Sequence, residues 1–273
     1  MKKYIIITAL VLSFLSVKTK VNAQCFYNNN VNSANSKLQS SGNAKLDLFL
    51  TSNLRNLAYP WGYNIDFGFY KGFNGQAVPY NFGGFDGKIL LGKELMTFEY
   101  SKRGLAYNKP MGEYFAYAVL AHEFAHIIQF HHRELLFKDV VTQEIHADMI
   151  AGYLLAKYIH KKSGIESKLN VLFSSECSKI ETELIINFGR LGDNSYWSPN
   201  HHGNYSTRQL AINEGFQIYF NKVMPPLVWK NDRLIEDPNW SEMADFEHWL
   251  LQDSNGYSYG IKMAENLIRK YDN

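Results

Sequence analysis

The chain has 273 residues, a formal net charge of +2, 46% hydrophobic residues and 15% aromatic residues. This composition is typical of a globular protein with a substantial core, and it excludes an intrinsically disordered chain. The small net charge gives no indication of a nucleic-acid or membrane-surface partner.

The first 23 residues have the pattern of a cleaved export signal. Two basic residues, Lys2 and Lys3, precede an apolar run from Tyr4 to Val17, and Val21-Asn22-Ala23 is a small-residue cleavage site. The apolar run is too short to span a membrane comfortably. We therefore expect a mature protein that begins near Gln24, is periplasmic or secreted, and has no stable membrane span. The signal carries four lysines and no acid, so its removal lowers the formal charge from +2 to −2.

The remaining chain divides into an Asn- and Ser-rich flexible start, residues 24–43, and one predicted domain, residues 44–273. Leucines at helical spacing predict a first helix, for which Asn43 is a plausible N-cap. Alternating apolar residues predict three strands after it, followed by a short helix. The predicted helix, strands and short helix are Ala44–Ala58; Tyr63–Phe69, Gln76–Phe82 and Lys88–Leu91; and Glu94–Tyr100.

The second half of the chain is predicted to be helical. The run from Met111 to Phe130 has no internal proline and is rich in apolar residues, which predicts a mostly buried helix. Ser206 or Thr207 is expected to cap a later helix. The further predicted helices are Lys138–Lys162, Glu166–Phe188, a segment ending near Asn221, Ser241–Leu251 and Tyr259–Tyr271. A small sheet followed by helices predicts an α+β fold.

The buried helix carries the sequence HExxH, formed by His122, Glu123 and His126. Residues at i and i+4 lie one turn apart on the same face of a helix, so both imidazoles can reach one zinc ion. Glu123 lies between them and can face the same cleft as a general base. These three residues are therefore the first candidates for a catalytic zinc site.

The next predicted helix carries an acidic pair at the same spacing, Glu144 and Asp148. Glu144 would supply the third ligand of a catalytic zinc ion, whose fourth position stays open. Asp148 would accept a hydrogen bond from the non-ligating nitrogen of a zinc-bound histidine. The small residues Ala147, Ala151 and Gly152 would let two helices approach closely.

Two alternatives for the third ligand remain open at this point. His132 lies ten residues after His122, where some zinc sites place a third histidine after a sharp glycine turn. Here that position is Gln129, which favours continuation of the helix and would turn His132 away from the metal. Asp148 is the second alternative, if the site is of an aspartate type.

The combination of HExxH on one helix and ExxxD on the next resembles the gluzincin metallopeptidases. Within that group the chain is similar to the neutral zinc metallopeptidase family, which carries HExxHxxQ, an Ala-Asp and Ala-Gly pair, and then His-Gly, Arg and Gly. It is more loosely similar to M48-type peptidases. The residues that match the neutral zinc family are His122, Glu123, His126, Gln129, Ala147-Asp148, Ala151-Gly152, His202-Gly203, Arg208 and Gly215.

This resemblance implies a zincin-like fold with a small antiparallel or mixed sheet, and an exported zinc-dependent metallopeptidase that acts on a peptide or protein. Glu123 would take a proton from a zinc-activated water. His202 or Tyr205 would help to stabilise the oxyanion, and Arg208 would orient an acid of the site. The strand at Lys88–Leu91 could bind an extended peptide by strand addition.

Two other functions are compatible with the same residues. One is a non-catalytic zinc-binding interaction module built on a peptidase scaffold, and the other is an exported amidase that acts on a non-peptide amide. Glu123 argues against the first, because a scaffold without activity needs no base between its ligands. The two cysteines, Cys25 and Cys177, leave a disulfide open, and the sequence does not indicate the oligomeric state.

Overall fold

The computed structural model describes residues 23–25, 37–72, 75–79, 83–98, 100–101, 109–132, 137, 139–163, 203–224, 227–230, 233–236, 246–251 and 253–271. Several predictions fall on segments outside these residues. They are the signal segment up to residue 22, the helix at 166–188, Cys177 and His202.

The first helix, α1, spans Ala44–Ala58 and has the predicted bounds. The side chain of Asn43 caps it by accepting hydrogen bonds from the backbone N–H groups of Lys45 and Leu46. Such a cap satisfies N–H groups that have no partner inside the helix. Leu46 and Leu50 are on its buried face, so the helix is held by packing as well as by its cap.

The sheet has four strands: β1, Ala23–Cys25; β2, Ile65–Tyr70; β3, Gly75–Val78; and β4, Gly87–Gly92. Their spatial order is β1-β3-β4-β2. Strands β2 and β4 are parallel, whereas β3 runs antiparallel to both β1 and β4, so the sheet is mixed. Strand β4 is paired along both edges. The prediction that Lys88–Leu91 binds a peptide by strand addition is therefore wrong, because the hydrogen-bonding groups of β4 already face β2 and β3.

The remaining elements are mostly helical, and they confirm the α+β class. They are α2, Lys93–Phe98; α3, Lys109–His131; α4, Val140–Ser163; α5, Tyr205–Ile218, which continues as a π-helical turn over Tyr219–Val223; the strands β5, Leu227–Lys230, and β6, Arg233–Glu236; and the helices α6, Phe246–Leu251, and α7, Ser254–Tyr271.

Helix α3 lies at the centre of the fold. It packs against β3 and β4 on the sheet side and against α1 and α4 on the helical side. Its residues are apolar on every face, and nearly all those from Met111 to Gln129 are buried. A helix that is hydrophobic all round is stable only when other elements surround it. The few polar residues of this segment, among them His122, Glu123 and His126, are therefore enclosed in the core.

Helices α4 and α5 are in unusually close contact. A methyl group at Gly152 would lie 2.2 Å from the carbonyl oxygen of Ile212, and one at Gly215 would lie 2.1 Å from that of Met149. Only glycine fits where two backbones approach this closely. The predicted close approach through Gly152 thus occurs, and its partner is α5. The contact fixes α5 against the helix that carries Glu144 and Asp148.

The structure corrects one local prediction and contains one hairpin that was not predicted. The N-cap of α5 is Asn204, whose side-chain oxygen accepts from the backbone N–H of Thr207, so the expected cap at Ser206 or Thr207 is wrong. The antiparallel hairpin of β5 and β6 was not predicted, although two β-prone runs flank two residues of turn-favouring type, Asn231 and Asp232. Within the described part of the chain, no helix is long and apolar enough to cross a membrane.

Candidate metal centre

Three side chains from two helices converge at one point in the core. Within the described residues, His122, His126 and Glu144 form the group that can hold a metal ion, and all three are buried. The Nε2 atoms of the two histidines lie 3.1 Å apart. The carboxylate of Glu144 approaches them with Oε2 3.3 Å from His122 Nε2 and Oε1 3.5 Å from His126 Nε2.

These separations fit a tetrahedral metal. Two ligand atoms bound to zinc at 2.0–2.2 Å with a tetrahedral angle lie about 3.3–3.6 Å apart. The histidine Nε2 atoms, 3.1 Å apart, and the pair His122 Nε2 and Glu144 Oε2, 3.3 Å apart, lie close to that range, and the other carboxylate oxygen, Oε1, lies 3.5 Å from His126 Nε2. Two imidazole nitrogens and one carboxylate oxygen are also the ligand set of a catalytic zinc ion that keeps its fourth position open. The residues present therefore fit a divalent metal, and the donor set is one that zinc favours.

The helices determine this convergence in a simple way. His122 and His126 share one face of α3 because four residues make about one turn. Glu144 lies in the first part of α4, which packs beside α3 and follows it after a short connection. Two helices in contact therefore bring three ligands together.

Asp148, one turn after Glu144 on α4, contacts His122 at Nδ1, the ring nitrogen that faces away from the metal position. The His122 Nδ1 atom lies 2.7 Å from Asp148 Oδ1. On its other side Asp148 accepts two hydrogen bonds from Arg208 of α5, at 2.6 Å from Nε and 2.7 Å from Nη2. Because a carboxylate accepts, Nδ1 of His122 carries a proton, which leaves Nε2, the atom that faces Glu144, as the nitrogen that can bind a metal.

The electrostatics of the cluster are governed by buried charge. Burial alone lowers the pKa of His122, but the carboxylates of Asp148 and Glu144 outweigh it and raise this pKa to about 9. Burial raises the pKa of Asp148, but the charges of Arg208 and His122 outweigh it and hold that pKa below its usual value.

Arg208 and Asp148 offset each other, and protonated His122 offsets only one of the two further carboxylates, Glu123 and Glu144, which lie in the core with 0% exposure. Buried charges of one sign are costly unless a charge of the opposite sign lies beside them. A divalent cation between the histidines would neutralise this pair of acids.

Strand β3 passes directly over the carboxylate of Glu123. A methyl group added at Gly75 of β3 would lie 2.1 Å from Glu123 Oε1. The strand can therefore pass over the carboxylate only because residue 75 has no side chain. Sequence reasoning did not assign Gly75 a role, although an isolated glycine beginning a strand pattern is a signal of close approach.

Two buried polar residues, Gln129 and His146, extend the cluster between α3 and α4. The amide oxygen of Gln129 lies 2.7 Å from His126 Nδ1, and its amide nitrogen lies 3.1 Å from His146 Nδ1. Burial, together with the charges of nearby His126 and His132, lowers the pKa of His146 to about 3, so this histidine is neutral. His146 was not a sequence candidate, and its position two residues after Glu144 was the available signal.

The other predicted site residues have different positions. His132 lies just beyond the end of α3, and its Nε2 atom hydrogen-bonds the carbonyl oxygen of Leu251 at 2.8 Å, so it belongs to a contact with α6. Tyr205 begins α5, and its hydroxyl accepts from Gln209 on the same helix at 2.9 Å. His202 lies outside the described residues, but the next residue, Gly203, is packed against Ile145, the neighbour of Glu144.

Comparison of the chain with known protein families, with curated proteins and with solved structures finds no match in any of the three. The assignment of a function therefore depends on the residues and geometry of the site.

Proposed function

We propose that this protein is an exported zinc-dependent metallopeptidase with a zincin-like fold of the gluzincin type. The observation that carries the proposal is a buried carboxylate, Glu123, which follows the first of two histidines whose Nε2 atoms lie 3.1 Å apart and converge with Glu144. A structural metal site needs ligands and no additional carboxylate. A hydrolytic site needs a base next to the metal position, and Glu123 supplies one.

His122, His126 and Glu144 would hold the zinc ion. When bound, zinc acts as a Lewis acid on a carbonyl oxygen and lowers the pKa of a water molecule toward ~7. Asp148 contacts Nδ1 of His122, and Gln129 contacts Nδ1 of His126. These contacts fix the orientation of both imidazoles, so that neither ring has to reorganise during the reaction. This preorganisation is a property of the chain itself.

Glu123 accepts the proton of the attacking water and later donates it to the leaving amine. Its carboxylate is buried, and Gly75 limits the space in which it can move. A fixed carboxylate in a dry environment is suited to proton transfer, because the correct position is adopted before the substrate arrives. The resemblance to gluzincins makes His202 and Tyr205 the candidates for a donor to the oxyanion.

An extended peptide or protein segment is the proposed substrate. The alternatives differ in what they predict for the same protein: a binding module holds zinc and hydrolyses nothing, whereas an amidase cleaves a non-peptide amide and leaves peptides intact. Hydrolysis is therefore the measurement that separates the three.

The test is a peptide-library digest of the mature protein, with cleavage products identified by mass spectrometry. We expect cleavage that ortho-phenanthroline abolishes, that its non-chelating meta isomer leaves unchanged, and that added zinc restores. Wild-type protein that retains zinc and cleaves no peptide would contradict the proposal.

The matched variant is Glu123→Gln, which removes the base and no ligand. We expect it to bind zinc as wild type does and to lose about 10²–10⁴-fold in kcat/KM, the range of general acid–base catalysis. Cleavage by this variant at the wild-type rate would exclude Glu123 as the base and would indicate a contaminating peptidase.

A further inference from the structure

The side chain of Gln129 contacts both helices of the metal centre. It lies on α3, one turn after His126, and it is 4% exposed. Its Oε1 atom is 2.7 Å from His126 Nδ1, and its Nε2 atom is 2.9 Å from the backbone carbonyl oxygen of Gln143. Gln143 immediately precedes Glu144 on α4, so a single amide joins the surroundings of two metal ligands.

The orientation of this amide follows from its partners. A backbone carbonyl can only accept a hydrogen bond, so the atom of Gln129 that faces Gln143 must be the –NH₂ group. The oxygen of the amide then faces His126, which can only be a favourable contact if His126 Nδ1 carries the proton. The lone pair of His126 is thereby assigned to Nε2, the atom that faces His122 and Glu144.

The second hydrogen of the amide nitrogen has a partner as well. It is directed at His146 Nδ1, 3.1 Å away on α4. A histidine that accepts at Nδ1 is neutral and carries its proton on Nε2. The three contacts of Gln129 are therefore mutually consistent, and the contact with the carbonyl of Gln143 excludes the flipped amide.

We propose that Gln129 is a positioning residue with two separable roles. Its oxygen fixes the tautomer of His126 for metal binding, and its amide nitrogen joins α4 to α3 at the residue before Glu144. Gln129 thus orients His126 as Asp148 orients His122, but through a neutral amide where Asp148 uses a carboxylate. The inference rests on the zinc site of the proposed function, and its tests do not require turnover.

Two substitutions separate the roles. Methionine has a shape similar to glutamine but is a weak hydrogen-bond acceptor and not a donor. Gln129→Met therefore removes both the contact with His126 and the hydrogen bond to Gln143. Gln129→Glu keeps an acceptor for His126 and removes the donor to Gln143, because a carboxylate only accepts. Thr142→Val is the matched control: it also replaces a buried polar group near the start of α4, at 2% exposure.

Zinc affinity, measured by competition with a chromophoric chelator, reports the first role. We expect Gln129→Met to bind zinc about 10–100-fold more weakly, the usual effect of losing a partner behind a metal ligand. Gln129→Glu and Thr142→Val should bind close to wild type. Wild-type zinc affinity in Gln129→Met would overturn the tautomer role. So would a Gln129→Glu variant that binds zinc no more tightly than Gln129→Met.

Thermal unfolding of the metal-free protein reports the second role. Loss of the donor leaves the carbonyl of Gln143 buried without that bond, so both Gln129 variants should unfold about 2–12 °C lower. A Gln129→Glu variant as stable as wild type would overturn this role. The comparison needs Gln129→Glu only, so it stands even if Gln129→Met does not fold.

Proton NMR of zinc-loaded protein gives a signature that a merely structural role would not move. Relative to wild type, the Nδ1 proton of His126 should shift upfield in Gln129→Met and downfield in Gln129→Glu, where the acceptor is charged. The Nδ1 proton of His122, held by Asp148, serves as an internal reference and should not move. An unchanged His126 signal in both variants would contradict the proposal.

Protein that binds zinc but cleaves nothing would contradict the proposed function and leave these measurements interpretable.

Discussion

Arg208 should contribute to stability and to metal binding by different routes, and the structure allows the two to be separated. Arg208 and Asp148 are both completely buried and are joined by contacts of 2.6 and 2.7 Å. Arg208→Met removes the cation and leaves Asp148 as a buried charge without that partner. Breaking a buried ion pair from one side costs about 3–5 kcal/mol. For a chain of this size that corresponds to a fall of about 6–20 °C in the unfolding temperature.

A second substitution then tests the reasoning. Arg208→Met combined with Asp148→Leu removes the stranded charge, so a large part of the stability should return. Its zinc affinity should stay about 10–100-fold below wild type, because His122 has lost its acceptor. Arg208→Met combined with Asp148→Asn keeps an oxygen acceptor for His122 and should bind zinc more tightly than the Asp148→Leu double variant.

The assays are urea denaturation of the metal-free proteins and chelator competition for zinc. Unfolding of Arg208→Met at the wild-type urea concentration would refute the assignment of a buried ion pair. Equal zinc affinities of the two double variants would refute the role of Asp148 as the acceptor for His122.

The remaining predictions concern the third ligand and the base. Glu144→Gln should lose most of its zinc affinity, whereas His132→Ala, which loses only a contact with α6, should retain zinc; the reverse result in metal analysis would reassign the ligand. Gly75→Ala places a methyl group against Glu123 and should lower kcat while zinc remains bound, because the base is displaced and the ligands are not. Gly87→Ala is its control, since it inserts a methyl group between the sheet and the same helix but meets the side chain of Ile127 and not Glu123. Equal losses of kcat in both would attribute the effect to general repacking.

The local structure of this protein was largely determined by its sequence. Leucine spacing and Asn43 gave the bounds of α1, and the proline-free apolar run gave the buried helix α3. Both depend on interactions within a few residues, which sequence periodicity reports directly. The spacing of His122, Glu123 and His126 is of the same kind, because a helix fixes which of its residues share a face.

Contacts between distant segments were decided only by the tertiary structure. No periodicity indicates that β4 is paired on both edges, that Gly75 covers Glu123, or that the amide of Gln129 faces the carbonyl before Glu144. These relations depend on how strands and helices pack, and many packings satisfy the same hydrophobic pattern. The sequence thus specified which side chains could bind a metal, and the packing of α3 against α4 brought them to one point.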